Sequence, residues 1–210
     1  MSIQFTYNQE QAVKAGNSNF ISETGAYKCT ILEAKYNKTN NGALALELSV
    51  ETDDEMKGNY ISIFYQANNG EALQGGHNMI QAIMGCTRIR ELSRTLKDGK
   101  DIAPELIGKK VGLFLQKRLY TKSDGSDGYQ FQIVCPFGYE TGKTLAEYIE
   151  NRPAERIEYL IAHTKDKDDR NRQAPQQTPY QVQNGFYGQP TTSGQNVTQS
   201  QNSFDDDIPF

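Results

Sequence analysis

The sequence contains no tryptophan, and it has only three cysteines and two histidines among its 210 residues. Cys29, Cys86 and Cys135 lie far apart among apolar neighbours and form no CxxC pair, which argues against a disulfide framework or a zinc site. Neither His77 nor His163 has a carboxylate or nucleophile at the spacing of a catalytic motif. We therefore expect a non-enzymatic protein that uses no metal and no cofactor.

Long apolar runs are also missing. No stretch approaches the roughly 18 apolar residues that a membrane-spanning helix needs. The first residues, MSIQFTYNQE, lack the basic and apolar regions of a secretory signal. We expect a soluble cytoplasmic protein with no membrane partner.

Charge of either sign is scarce from Asn171 to Phe204, where Arg172 is the one charged residue among Gln, Asn, Thr, Ser, Gly and Pro. Such a segment cannot bury enough apolar surface to offset the entropy lost on ordering it. The sequence therefore predicts a folded domain over residues 1–166, a disordered linker over 167–204 and an acidic tip at 205–210.

Within the domain, alternating apolar and polar residues predict five strands, at 25–36, 43–52, 60–66, 109–120 and 128–137. Helical spacing predicts a helix over 73–84, a second short helix through Leu96, and two helices after the last strand. Thr144 and Glu147 form a potential capping box at the start of the first of these two. Three strands, a helical insert and two strands is the order of an OB-fold. We predict a mainly β fold, an OB-fold-like five-stranded barrel with helical additions and a disordered tail.

The fourth predicted strand lies in the most basic stretch, GKKVGLFLQKRLYTKS, which has five cations and no acid. Alternation assigns its leucines and valine to the core. The opposite face then carries Gly112, Phe114, Gln116, Arg118 and Tyr120. Aromatic rings mixed with cations are typical of a surface where unpaired bases stack while phosphates meet Lys and Arg.

The third strand and two loops continue this pattern. Tyr60, Ser62 and Phe64 are expected to face outward, and the loops after the first and fourth strands border the ligand groove of an OB-fold. The predicted nucleic-acid-binding residues are Lys35, Tyr36, Lys38, Tyr60, Phe64, Lys109, Phe114, Lys117, Arg118, Tyr120, Lys122 and Tyr129. The alternative is that the aromatic residues pack beneath the extra helices and the lysines only keep a strand edge soluble.

The last six residues, Asp205-Asp206-Asp207-Ile208-Pro209-Phe210, complete an arrangement that resembles the bacterial and phage single-stranded DNA-binding proteins. Members of that family end in an acidic run followed by Ile-Pro-Phe or a close variant. The resemblance implies a tip that recruits replication, recombination and repair proteins. Phe210 would fill an apolar pocket while its carboxylate meets a basic side chain. Ile208 and Pro209 would add contacts, and the three aspartates would engage a basic rim.

The first 140 residues are similar to phage-encoded proteins of the OB type, through Gly25-Ala26-Tyr27, Thr39-Asn40-Asn41-Gly42 and Gly108-Lys109-Lys110. The bacterial proteins commonly stack bases on tryptophans, which this chain lacks. The resemblance implies binding to single-stranded DNA with little sequence preference, in the cytoplasm of a bacterial host. The alternative function is a protein-recognition adaptor whose tip mimics the host protein's tail.

Overall fold

The computed structural model describes residues 3, 5–9, 12 and 19–170. This part of the chain contains eight strands: β1 (Gly25–Lys38), β2 (Leu44–Thr52), β3 (Lys57–Gln66), β4 (Thr95–Lys97), β5 (Lys100–Ile102), β6 (Lys110–Thr121), β7 (Asp127–Phe137) and β8 (Lys167–Asp168). Its helices are α1 (Gln74–Thr87), α2 (Leu145–Ile149) and α3 (Arg156–His163), with a 3-10 turn at Pro104–Leu106. Among these residues no helix has the length and apolar character needed to cross a membrane.

The five predicted strands are confirmed as β1, β2, β3, β6 and β7. They form one antiparallel sheet in which β2 lies between β1 and β3, β1 pairs with β6, and β6 pairs with β7. Within the described residues no hydrogen-bonded ladder joins β3 to β7. The sheet is therefore open along the edges of these two strands, and it does not form a closed barrel.

The main core lies on the inner face of this sheet. Because side chains alternate along a strand, a single register places every second residue of the strand inside, and in β2 and the first half of β6 these residues are mainly apolar. Leu46, Leu48 and Val50 of β2 are fully buried, and so are Leu113 and Leu115 of β6. Helix α1 covers the core with Ile83 and Met84. This packing fixes which side chains of each strand remain outside.

Strand β6 departs from the predicted alternation because both of its faces are buried in its first half. Phe114, predicted to face solvent, has 0% exposure and packs against Phe137, Ile157 and Leu160. The last two belong to α3, which lies over the outer face of the sheet. The solvent-facing assignment of Phe114 is wrong, and the packing alternative is correct for this residue.

The region after α1 also differs from the prediction. Instead of a second helix through Leu96, residues 95–102 form the β4–β5 hairpin. Its turn is Asp98-Gly99, with φ of 50° and 73°, the left-handed conformation that tight hairpin turns require. Strands of three residues are too short to show a period of two, so the helical spacing misled the prediction.

The folded part extends beyond the predicted boundary at residue 166. Strand β8 pairs in parallel with Arg118 and Leu119 of β6. Asp169 accepts hydrogen bonds from Arg118, and Arg170 forms ion pairs with Asp127 and Asp168. The predicted linker start at 167 is therefore too early, because these contacts hold 167–170 against β6 and the β6–β7 hairpin. The remainder of the predicted linker, together with the predicted tip, lies outside the described residues.

A single buried carboxylate connects the two C-terminal helices. Glu147 is 3% exposed, and its Oε2 accepts hydrogen bonds from the backbone N and Oγ1 of Thr144, each at 2.8 Å. This confirms the predicted capping box. Its Oε1 accepts from the backbone N–H groups of Glu155 and Arg156, at 2.9 and 2.7 Å. The carboxylate thus caps α2 and also binds the first turn of α3, the helix that covers Phe114.

Burial alone would raise the pKa of Glu147, but these hydrogen bonds outweigh burial and lower its pKa below the usual 4.5. We expect Glu147→Gln to reduce the free energy of unfolding by about 1–3 kcal/mol at pH 7, because it removes a buried acceptor of several N–H and O–H donors. Chemical denaturation at several pH values provides the measurement.

A carboxylate with a depressed pKa stabilises the fold above its unfolded-state pKa, and this stabilisation is lost as the pH falls through the folded-state value. The difference between wild type and Glu147→Gln should therefore narrow below pH 4.5. The matched control is Glu150→Gln, whose exposed carboxylate pairs with Arg152 at the surface and should change stability by less than about 0.5 kcal/mol. Equal effects of the two substitutions at pH 7 would contradict the role of Glu147.

Candidate nucleic-acid interface

The open side of the sheet forms a groove of about 500 Å³ between the edges of β3 and β7, here called the β3–β7 groove. The first turn of α1 closes one end, and Gly76 makes this possible. A Cβ atom at Gly76 would lie 1.8 Å from the carbonyl oxygen of Phe64, so the helix backbone passes directly against β3. Residues from β3, α1, β6 and β7 line the groove, including Tyr60, Phe64, Gly76, Arg118, Phe131 and Gln132.

Tyr60 stands at the β3 edge in an unusual backbone conformation. Leu48 pairs with Ile61 but Val50 pairs with Gly58, so β3 contains one extra residue at this point. Tyr60 lies in this bulge with a φ of 60°, which is an outlier for a bulky residue. Tyr60 is 72% exposed, and Phe64 is 43% exposed. Both aromatic side chains face outward, as predicted.

At the opposite edge, the tip of the β6–β7 hairpin carries a second aromatic group. Tyr129 is 49% exposed and makes an edge-to-face contact with Phe131, with centroids 5.8 Å apart. The ammonium of Lys117 lies 4.8 Å from the centroid of Tyr129. Phe131 lines the groove and was not among the predicted residues. The alternation of Tyr129, Phe131 and Ile133 on one face of β7 is the signal that could have identified it.

The loop between β6 and β7 keeps its predicted aromatic and basic residues at the surface. Tyr120 is exposed and lies across Gly128, where a Cβ atom would come within 2.9 Å of its ring. Lys122 is exposed beside it, and Lys38 is exposed at the end of β1. These three side chains are accessible at the two loops that we expected to border the site.

Two residues predicted at the first loop are engaged within the protein. Tyr36 faces the core, with its ring 6.5 Å from that of Tyr65 in an edge-to-face contact, and its hydroxyl donates to the carbonyl of Ser93. Burial raises the pKa of Tyr36. Tyr36, predicted to bind nucleic acid, thus lies on the inner face that it shares with Leu46, and its ring packs against the core. Lys35 pairs with Glu33, and this hydrogen bond raises the pKa of the ammonium.

Arg118 lines the groove, but its charge is paired. Its Nη2 and Nε donate to Oδ2 of Asp169 at 2.5 and 2.9 Å, and Nη1 donates to Gln132 at 3.1 Å. A phosphate would therefore meet a guanidinium whose charge is already balanced by Asp169 and which has two of its five N–H donors left.

Lys109 does not belong to the same surface. It precedes Tyr120 by eleven positions, which at about 3.3 Å per residue separates the two by roughly 36 Å along β6. It lines a different cleft, at the opposite end of the strand. The structure therefore divides the predicted set into two locations.

The groove brings together Tyr60, Phe64 and Phe131, with Tyr129 and Lys117 beside them. Rings with free faces bind unpaired bases of any sequence by stacking, and the nearby ammonium can meet a phosphate. No protein-family model matches this chain, and no curated protein is similar to it in sequence. The functional assignment therefore depends on the geometry of the site.

The backbone at Tyr60 gives a direct test of this geometry. A left-handed conformation costs about 1–2 kcal/mol for a residue with a Cβ atom and little for glycine. We expect Tyr60→Gly to be more stable than Tyr60→Ala by about 1 kcal/mol, measured by chemical denaturation. At Phe64 the order should reverse, because glycine weakens a strand by about 0.5–1 kcal/mol relative to alanine. The same order at both positions would contradict the bulge.

Proposed function

We propose that the chain binds single-stranded DNA with little sequence preference, through the β3–β7 groove. The observation that carries the proposal is the pair of exposed rings at the β3 edge, Tyr60 and Phe64, beside a groove whose other edge holds Phe131. Holding a bulky residue in a left-handed conformation costs stability, and such strain is concentrated at functional sites. A ring that served only packing would not need to be strained and exposed.

The order of the elements supports an OB-type fold for this domain. β1, β2 and β3 precede α1, and the β6–β7 hairpin follows it, as in a five-stranded partly open barrel. In that fold the strand 2–3 face and the loops after strands one and four bind oligonucleotides. The exposed Lys38 lies at the first of these loops and Lys122 at the second.

The contacts expected in the groove favour single strands over duplexes. Stacking on Tyr60, Phe64 or Tyr129 requires bases whose faces are free, and paired bases in a duplex do not offer them. Lys117 would contact the phosphates close to Tyr129. The groove thus combines several sequence-tolerant contacts with few charges.

We further propose that residues 205–210 recruit partner proteins of replication, recombination or repair, during phage replication in a bacterial cytoplasm. The support is the sequence itself, in which three aspartates precede an apolar tripeptide. Acidic residues alone would suffice for solubility, whereas Ile208 and Phe210 provide apolar contact.

We expect a labelled dT oligomer to bind more tightly than a duplex of the same length, as measured by fluorescence anisotropy. Phe64→Ala and Tyr129→Ala should each weaken binding by about 1–3 kcal/mol, or roughly 5- to 150-fold, without unfolding the protein. Equal affinity for duplex and single strand would refute the stacking site.

Two control variants separate binding from folding. Tyr159→Ala removes an equally exposed ring on α3, outside the groove, and should leave affinity unchanged. Phe114→Ala removes a buried ring and should lower stability by about 3–5 kcal/mol. A loss of affinity in Tyr159→Ala comparable to that in Phe64→Ala would show that the assay does not report on the groove.

For the tip, deletion of 205–210 should abolish capture of a host enzyme that recognises the tails of single-stranded DNA-binding proteins. Deletion of Phe210 alone should have nearly the same effect, because Phe210 is the proposed anchoring ring. Affinity for single strands should stay unchanged or rise, since three aspartates that compete with phosphates are removed. Pull-down and anisotropy measure the two effects.

The matched control is a chain in which the same six residues are scrambled, which preserves length and charge. Capture by the scrambled chain would mean that acidity alone recruits the partner. Capture of partners by a wild-type chain that binds no oligonucleotide would favour the adaptor function instead.

A further inference from the structure

A second cleft, here called the basic cleft, lies where α1 ends and α2 begins, at the end of β6 away from the hairpin tip. It has a volume of about 310 Å³. Four cationic residues line it, Arg88, Lys109, Lys110 and Lys143, together with the rings of Tyr139 and Tyr148. Glu140 is the one acid among the described residues that line it.

Two lysine ammonium groups lie close to the ring of Tyr139. The Nζ atoms of Lys110 and Lys28 lie 4.6 and 5.4 Å from the centroid of its ring. Lys110 also donates to the tyrosine hydroxyl at 3.3 Å, and that hydroxyl donates to the carboxylate of Asp53 at 2.7 Å. Two cations close to one ring repel each other, and a bound anion would relieve this repulsion.

These cations are not neutralised by direct ion pairs. Over residues 19–170, none of Lys28, Arg88, Lys109, Lys110 or Lys143 forms a salt bridge with a described acid. In contrast, Lys35 and Arg118, near the groove, each pair with a carboxylate. Even with Asp53 and Glu140 nearby, five cations face two acids. The basic cleft therefore gathers four such cations on one surface, whereas Lys117 beside the groove also forms no salt bridge with a described acid.

We propose that the basic cleft is a second contact for the single strand that occupies the β3–β7 groove, a proposal that rests on the function proposed above. Phosphates would bind the cations of the cleft, and a base would stack on Tyr148, which is 59% exposed at the rim. An acidic peptide could also bind the cations, but its carboxylates would not stack on this exposed ring.

The spacing suits one continuous strand. Lys110 and Lys117 are seven positions apart on β6, which at about 3.3 Å per residue puts about 23 Å between the cleft and the groove. An oligomer of a few nucleotides would fill the groove alone, whereas a longer one reaches both contacts. OB-type grooves cover about 4–16 nucleotides, which sets the range of lengths to examine.

The experiment compares dT oligomers of about 6 to 30 nucleotides, a range that brackets one groove, on full-length wild type and Lys109→Gln/Lys143→Gln. The control is Lys97→Gln/Lys100→Gln, which removes the same charge from the β4–β5 hairpin. Thermal denaturation verifies that each variant is folded. A given oligomer has the same number of binding registers on every variant, so statistical effects of length cancel.

For long oligomers, Lys109→Gln/Lys143→Gln, here called the cleft variant, should show a salt dependence of log K that is shallower by about 1.4 per decade of salt. Two phosphate contacts are lost, and each contributes about 0.7 to the slope. For the shortest oligomers, wild type and both variants should agree. The control variant should match wild type at every length.

Equal salt slopes for wild type and the cleft variant on long oligomers would overturn the second contact while leaving the groove intact. The second contact would also be overturned if the cleft variant lost as much affinity for the shortest oligomers as for the long ones, because the cleft would then be the primary site. Wild type that binds no oligomer of any length would refute both proposals. A poly-glutamate peptide that binds wild type as tightly as a dT oligomer of equal charge, and fails to bind the cleft variant, would assign the cleft to acidic peptides instead.

Discussion

Between Val111 and Leu115, strand β6 has no face left for solvent, and this constraint decides which parts of the strand a ligand can reach. Val111, Leu113 and Leu115 point into the main core, while Phe114 lies beneath α3. A strand covered on both faces can present only its ends. The accessible surfaces are therefore the hairpin tip beyond Gln116, beside the groove, and the other end of β6, beside the basic cleft.

The helical cover and the groove are linked through strand register. Glu147 holds the start of α3, and α3 covers Phe114. Phe114 pairs with Cys135, whereas the next residue, Leu115, pairs with Ile133, so β7 gains one residue at this point. A one-residue change of register reverses every later side chain. The bulge therefore determines that Tyr129 and Phe131 share the face of Lys117.

Local patterns were sufficient to predict the five long strands, α1 and the capping box, because each depends on residues close in sequence. Two features depended on distant residues and were missed. The cover over Phe114 comes from residues 156–163, although the unbroken apolar run from Val111 to Leu115 is typical of a strand buried on both faces. The partner of Arg118 is Asp169, fifty-one positions away. Alternation also cannot reveal a positive φ such as that of Tyr60, since it assumes a regular strand.

The distribution of ion pairs suggests that the two surfaces would act by different forces. Near the groove, Arg118 and Lys35 pair with carboxylates, so binding there would rely mainly on stacking, with Lys117 as the phosphate contact. At the basic cleft the cations form no salt bridge with an acid of residues 19–170, and such charges attract phosphates over a Debye length of about 8–10 Å at physiological ionic strength. A chain with a net charge of −4 can therefore still attract nucleic acid, because a phosphate responds to the charges within that distance and not to the total. The larger part of the salt dependence of binding would then arise at the basic cleft, which four cations line, and a smaller part at Lys117 beside the groove.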